Sequence, residues 1–447
     1  MFGVCGESDV RDHLYYGLYA LQHRGQTSCG AVLSDNFKLS LVRGHGLVSE
    51  ALEPNLAKLN GNMGIGHVRY GGKKDAEEYA QPLISNYLKG NICISIAGKI
   101  TNSGQLKAEL EDKGAIFQLS SDAEVLAHLI ARARKNEASV ENAVLKVMPH
   151  LKGAYAVLLM SSSKVLAFRD KDGLRPLCMG RKGGTYFFSS EDCAFAAVGA
   201  EFVRDLEPGE LVMVEGSGVR GQVSDDENDS DRIKKKPHSF MDYAVNKAKT
   251  CIYEYIYFAR PDSIIDGVSV YSVRVEAGKR LYKHAPAKAD LVIGAPSAGL
   301  HYALGYAHES GIPYGDGLFR NYYLGRTQGR DENFKQNAMG IKLNVIKAAV
   351  AGKRIVLVDD SMIRGVTAKR IIALLRGGEA AEVHLRVACP RFVSVCPFSA
   401  GIDSNLKDKS VEEIRVEVGA DSLAFLPARD LSLIGAGSGN CKKCFMW

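Results

Sequence analysis

The sequence predicts an α/β protein in two parts: a layered first half of stacked sheets with helices outside, and a second half built on a parallel, helix-flanked sheet. Three observations carry that expectation. Up to about residue 215 the chain is rich in short alternating or apolar runs, with only a few helical stretches between them. A polar segment with an acidic run followed by a basic one, GSGVRGQVSDDENDSDRIKKKPHS, then interrupts the pattern. From about residue 238 onward, strands alternate with long helical patterns, the signature of a parallel sheet covered on both faces.

In the first half GNICISIAG, GAYAVLLMS, KVLAFRD, TYFFSSED and GELVMVEG read as strands, and DHLYYGLYALQHRG and SDAEVLAHLIARARKN as helices. The second half reads in order as helix VYSVRVEAGKRLYKHA, strand and turn ADLVIGAPSAG, helix LHYALGYAHESG, strand KRIVLVDDS, helix AKRIIALLRGG and strand AEVHLRVA. The charged segment sets the expected domains at 1–235 and 236–447.

With 447 residues, 46% of them hydrophobic and 24% charged, the chain has the composition of an ordinary globular protein with two or three cores. A net charge of +6, spread along the chain, is too mild to predict a nucleic-acid partner but suits phosphate-rich small substrates. No apolar run reaches membrane-spanning length, and the opening MFGVCGESDVRD lacks the basic and apolar regions of a signal peptide. The expectation is therefore a cytoplasmic enzyme without membrane contact. Its ten cysteines then point to structural thiols, a reactive thiol or a metal site, not to disulfides.

The most telling stretch is Ile355 to Thr367, IVLVDDSMIRGVT. A β-branched run ends in Asp359 and Asp360, and a loop containing Arg364 and Gly365 opens a helix. Amides at such a helix start, with the hydroxyls of Ser361 and Thr367, can wrap a monophosphate; the two aspartates can hold ribose hydroxyls and, through them, Mg²⁺. The same residues also fit an ordinary strand with an acidic turn. In ADLVIGAPSAG the glycine turn from Gly294 through Ser297 can seat a pyrophosphate on its amides, or simply join strand to helix. The long polar segment FRNYYLGRTQGRDENFKQNAMGIKLN has the length of a lid, and Arg326 and Thr327 on it would close over a reactive sugar.

These strings together resemble the amidophosphoribosyltransferase (glutamine phosphoribosylpyrophosphate amidotransferase) family. YEYIYFARPDSIIDG, RNYYLGRT and GKRIVLVDDSMIRGVTAKRII resemble its type I phosphoribosyltransferase domain, where the DD pair and the Gly365-Val366-Thr367 loop match the PRPP signature. The resemblance implies transfer of ammonia to PRPP to give 5-phosphoribosylamine, the first step of purine biosynthesis. It places Asp359, Asp360, Ser361, Arg364, Gly365 and Thr367 at the sugar phosphate and Mg²⁺. With the lid and the glycine turn, the expected catalytic residues are Arg326, Thr327, Asp359 and Asp360, and the expected substrate ligands Gly294, Ser297, Ser361, Arg364, Gly365 and Thr367. It also implies a homo-oligomer, a dimer or tetramer. The chain departs from the family at Ser297 and Ala298 in the pyrophosphate turn and at Tyr322 and Gly340. These departures keep a second reading in play, a non-catalytic PRPP- or nucleotide-sensing regulatory protein.

The terminal CKKCFMW carries a C-x₂-C pair, which by itself suits Zn²⁺ or an iron–sulfur cluster. Family members with a 4Fe–4S cluster have ligands at positions met here by Cys251, Cys396, Cys441 and Cys444, with Zn²⁺ as the rival occupant and Cys389 as a spare thiol.

LQHRGQTSCGAV, GIGHVRYGG, SSDAEVLAHL and RDKDGLRPL resemble the family's glutaminase domain, of the N-terminal-nucleophile hydrolase fold. Arg69 and Asp122 match the residues that hold glutamine's carboxylate and amine. The family opening Cys-Gly-(Ile/Val)-x-Gly appears here as FGVCG, with Phe2 in place of the nucleophile, and the oxyanion asparagine appears as Ala97 in IAGK. A phenyl ring cannot attack an amide, and one missing oxyanion donor lowers the rate about 10²–10³-fold. The expectation is a glutaminase half without glutaminase activity. Removal of four residues to expose Cys5 is the counter-reading, and it leaves Ala97 unable to donate.

Overall fold

The computed structural model describes all residues except 7, 36–37, 72–79, 217–236, 242–246, 322–341, 399–403, 433, 435–438 and 447. The chain forms two compact units, one of residues 1–250 with 264–267, the other of 251–263 with 268–447. The charged segment and the lid segment fall largely in the undescribed stretches, and Arg326 and Thr327 lie outside the described residues.

The first unit is built on two antiparallel sheets. One runs Glu201–Asp205, Cys178–Lys182, Thr185–Ser189, Phe2–Cys5, Met63–Arg69, Ser28–Asp35, Lys38–His45. The other runs His238–Met241, Glu210–Glu215, Lys164–Arg169, Gly153–Ser161, Gly90–Ile100, Leu83–Tyr87. Period-two alternation sends each strand's side chains to opposite faces, and the apolar layers follow from it. Val32, Ile65, Leu158, Val165, Phe188 and Val212 fill the space between the sheets. Leu14 and Leu18 of helix Arg11–Ala20 cover the outer face of the first sheet. Leu126 and Ile130 of helix Asp122–Ala133 cover the outer face of the second, over Ile96, Val157 and Leu159. The result is the four-layered arrangement of helix, sheet, sheet and helix that the sequence predicts.

The second unit holds a four-stranded, all-parallel sheet in the order Leu291–Gly294, Arg354–Asp359, Glu382–Val387, Ser422–Phe425. Apolar residues run through its strands because helices cover it; Ile355, Leu357, Val383 and Leu385 are buried together with Ile371, Ile372 and Leu375 of helix Val366–Gly377. Strand Arg354–Asp359 has a partner on either side, so the residues at its carboxyl end leave from a fixed backbone. No described helix is long and apolar enough to cross a membrane.

Candidate functional site

At the carboxyl end of that inner strand the two aspartates are both buried, Asp359 8% and Asp360 6% exposed. The Asp360 N–H donates to Asp359 Oδ1 at 3.0 Å, and the Ser361 hydroxyl donates to Asp360 Oδ2 at 2.7 Å. Burial and the neighbouring Asp360 push the Asp359 carboxyl far above the usual range. Burial raises Asp360 too, opposed by hydrogen bonds from Ser361 and Asp359 and by the positive charge of Arg274. Both carboxyls are thus raised, Asp359 the more strongly, and the two titrate as a pair. Arg274, itself 3% exposed, is held by the carbonyls of Tyr255 and Ala259 at 2.9 and 2.7 Å, so its positive potential reaches Asp360 from a guanidinium anchored on backbone. The cation is one that pattern reading missed, since nothing in VYSVRVEAGKR distinguishes a buried arginine from a solvated one.

The glycine turn after Leu291–Gly294 lies beside this pair. A Cβ on Gly299 would stand 2.3 Å from the Val358 carbonyl oxygen and one on Gly294 2.7 Å from Leu300 Cα, so the close approach of turn and strand requires both glycines. The Ala295 amide donates to Val358 O at 2.8 Å and the Gly299 amide to Ala295 O at 2.9 Å. The turn's ends are thus spent on its own shape, whereas the intervening amides of Ser297 and Ala298 make no backbone hydrogen bond among the described residues. Arg320 Nη1 donates to Ser297 Oγ at 2.9 Å, bringing to the exposed rim of the turn a cation the sequence reading did not single out.

On the other side, Gly365 adopts φ +71° as it starts helix Val366–Gly377, and no side chain caps that helix start. Thr367 and Arg364 are exposed there. Ser361, half-buried, gives its proton to Asp360, and Tyr253 Oη lies 3.0 Å from its oxygen.

The cysteines named from the tail converge within the same unit. Cys251 and Cys441 are paired as backbone neighbours, with the Ile252 amide donating to Cys441 O at 3.1 Å. Burial pushes the Cys444 thiol up, and Cys251, Cys396 and Cys441 each add to that rise, so all three lie near Cys444. Four thiols of that kind are a donor set that fits a cluster. Among the described residues no three His, Cys, Asp or Glu side chains are gathered as a single ion requires. Cys389 is fully buried with its thiol directed at Pro390 O.

In the first unit, strand Met63–Arg69 places His67 and Arg69 on the face that holds Met63 and Ile65, between the sheets. His67 is buried, donates to the Ile96 carbonyl, and is held neutral by burial and by the charges of the chain's first amine and Arg69. Ile96 is fixed in turn by Gln81, whose Oε1 accepts its amide at 2.6 Å, and Ala97 beside it faces the inter-sheet layer. Asp122 accepts the Ile100 amide at 2.7 Å. Gly25 of the HRG turn packs so closely on Arg69 that a Cβ would lie 2.5 Å from its backbone.

The neighbouring positions of the first strand differ in direction. Phe2 pairs with Gly66 and Val4 with Gly64, and both side chains enter the helix-side cluster with Leu14, Leu18 and Phe187. Met1 and Cys5 face the inter-sheet layer. The phenyl ring therefore does not fill the space beside His67 and Arg69. Cys5, 2% exposed at the end of strand Phe2–Cys5, is a buried structural thiol in this fold.

Residues 67–197 match the glutamine amidotransferase domain model. The chain is 41% identical to an amidophosphoribosyltransferase of Methanocaldococcus jannaschii over 95% of its length and 91% of the relative's. It is 39% identical to that of Bacillus subtilis over 99% of its length and 91% of the relative's. Among solved structures, glutamine PRPP amidotransferase from B. subtilis complexed with ADP and GMP superposes with a TM-score of 0.87 at 38% identity, covering 100% of this chain and 96% of that one. A structure described as the allosteric regulatory enzyme of purine biosynthesis superposes with a TM-score of 0.88 at 38% identity, covering 100% and 94%.

Proposed function

Because the chain belongs to the amidophosphoribosyltransferase family of purine biosynthesis, we propose that it forms 5-phosphoribosylamine from PRPP and free ammonia, a pentosyl transfer that its own first unit does not feed from glutamine. The observation that carries the transferase reading is the buried Asp359–Asp360 pair at a strand tip, flanked by a glycine turn and an uncapped helix start.

In this reading the Asp359–Asp360 pair holds the two ribose hydroxyls. The amides of Val366 and Thr367, with the Thr367 hydroxyl and Arg364, take the 5-phosphate at the positive end of the helix. The Ser297 and Ala298 amides with Arg320 take the pyrophosphate, and Gly294 and Gly365 give the turns their shape. Ammonia then attacks C1 from the face opposite pyrophosphate, with inversion. Arg326 and Thr327 are assigned to the exclusion of water by the sequence resemblance alone. Asp359 and Asp360 would hold a Mg²⁺ brought with the substrate, which would supply charge neutralisation for the leaving group. Cys251, Cys396, Cys441 and Cys444 would hold a 4Fe–4S cluster, with Zn²⁺ as the rival, which ties the tail to the segment at Cys251.

Loss of glutamine hydrolysis is supported by Phe2, whose side chain has no nucleophile, and by Ala97, which has no donor for an oxyanion; Arg69 and Asp122 keep the shape of an amino-acid site. Pyrophosphate release measured with PRPP and either ammonium or glutamine tests the proposal. Turnover with ammonium alone is expected, and equal turnover with glutamine would overturn the glutaminase part. A sensing role draws on Ser297 and Ala298 in the pyrophosphate turn; PRPP binding without pyrophosphate release in ammonium would select it.

A further inference from the structure

The Tyr253 hydroxyl lies 3.0 Å from Ser361 Oγ, and Ser361 Oγ lies 2.7 Å from Asp360 Oδ2. A serine hydroxyl has one proton. That proton is donated to Asp360 Oδ2, so the phenol must donate to Ser361. The chain of bonds therefore has one direction, from Tyr253 through Ser361 to Asp360. Tyr253 cannot swing away from it, because its ring is packed edge-on against Phe258 and Phe392 with centroids 5.0 and 5.7 Å away. Phe392 in turn lies 4.8 Å from the ring of Phe445, the residue after Cys444, and the Val393 amide donates to Cys444 O at 3.0 Å. On the other side Tyr253 is two residues from Cys251, which is paired with Cys441.

We propose that Tyr253 is a positioning residue for the sugar-binding carboxylate, acting through Ser361, and that the terminal cysteine turn sets its position through Phe392 and Phe445. The inference rests on the reading of Asp359 and Asp360 as ribose ligands given above. Its consequence is that the tail contributes to PRPP affinity through Tyr253 and Ser361.

The test uses the full chain, PRPP with Mg²⁺, and calorimetric Kd alongside KM and kcat with ammonium. Tyr253→Phe keeps the ring and removes only the hydroxyl; it should raise Kd and KM for PRPP about three- to tenfold, the effect of one hydrogen bond, and leave kcat within about twofold. Ser361→Ala should raise them at least as much, and Tyr253→Phe added to Ser361→Ala should change nothing further. Phe445→Leu, which leaves the phenol intact, should raise Kd in the same direction. An unchanged Kd in Tyr253→Phe, full additivity with Ser361→Ala, or no effect of Phe445→Leu overturns the proposal. If the unmutated protein does not bind PRPP, the functional reading itself fails and this inference with it, a result distinct from the other three.

Discussion

Removing the Phe2 ring and adding a methyl group at Gly17 tests where the first strand points its side chains. Phe2 is fully buried, its ring 6.0 Å from that of Phe187, and a Cβ on Gly17 would meet three of its ring atoms at 2.4–2.5 Å. Phe2→Ala should cost about 3–5 kcal/mol, the usual price of an aromatic ring lost from a core. Gly17→Ala has two opposed effects. Alanine in the interior of helix Arg11–Ala20 favours the helix by roughly 0.5–1 kcal/mol, whereas overpacking against a ring that cannot retreat costs about 1–3 kcal/mol. Alone, Gly17→Ala should therefore destabilise by about 1 kcal/mol. With the ring gone the clash disappears and the helix term remains, so Gly17→Ala on the Phe2→Ala background should stabilise. The cycle predicts a coupling of about 1–3 kcal/mol, read from urea unfolding followed by far-UV circular dichroism. Effects that add to within about 0.5 kcal/mol would mean that the ring is not against Gly17 and would refute its helix-side placement.

Two further outcomes follow from the site and the core. Asp205 is pushed up to about 7, chiefly by burial and then by Asp266, so the unfolded chain releases this proton first and stability falls as pH rises from about 4 to about 7. Asp205→Asn should remove that fall, matching the parent at pH 4 and exceeding it by on the order of 2–4 kcal/mol at pH 8 in pH-dependent melting curves; equal curves at pH 8 would contradict it. Anaerobically purified protein should carry about four iron atoms per chain and lose them in both Cys441→Ser and Cys444→Ser, and metal analysis showing a single zinc would replace the cluster with its rival.

Much of the fold was legible in the chain. The β-branched run ending in two aspartates, and the alternation of strands with long helices around it, led directly to a parallel sheet with the acid pair at its carboxyl edge. The direction of Phe2 was not legible, because FGVCG is apolar or small at every position and either face of the strand satisfies the pattern. Nor was the Tyr253–Ser361 contact, which joins residues 108 apart and leaves no periodic trace. Arg320 and Arg274 escaped for a related reason: an arginine's role depends on which backbone or hydroxyl it meets, and spacing does not record that. The convergence of Cys251, Cys396, Cys441 and Cys444 came from family resemblance, since only the C-x₂-C pair has an informative spacing.

Asp359 and Asp360 issue from a strand bonded to neighbours on both edges: all six of its residues pair with Glu382–Val387, and Ile355–Val358 pair with Leu291–Gly294. Such a floor is among the last parts of a sheet to open to solvent, whereas the walls above it belong to turns and connecting segments. An engineer seeking a different nucleophile for the same activated sugar can rewrite those walls and leave the floor untouched.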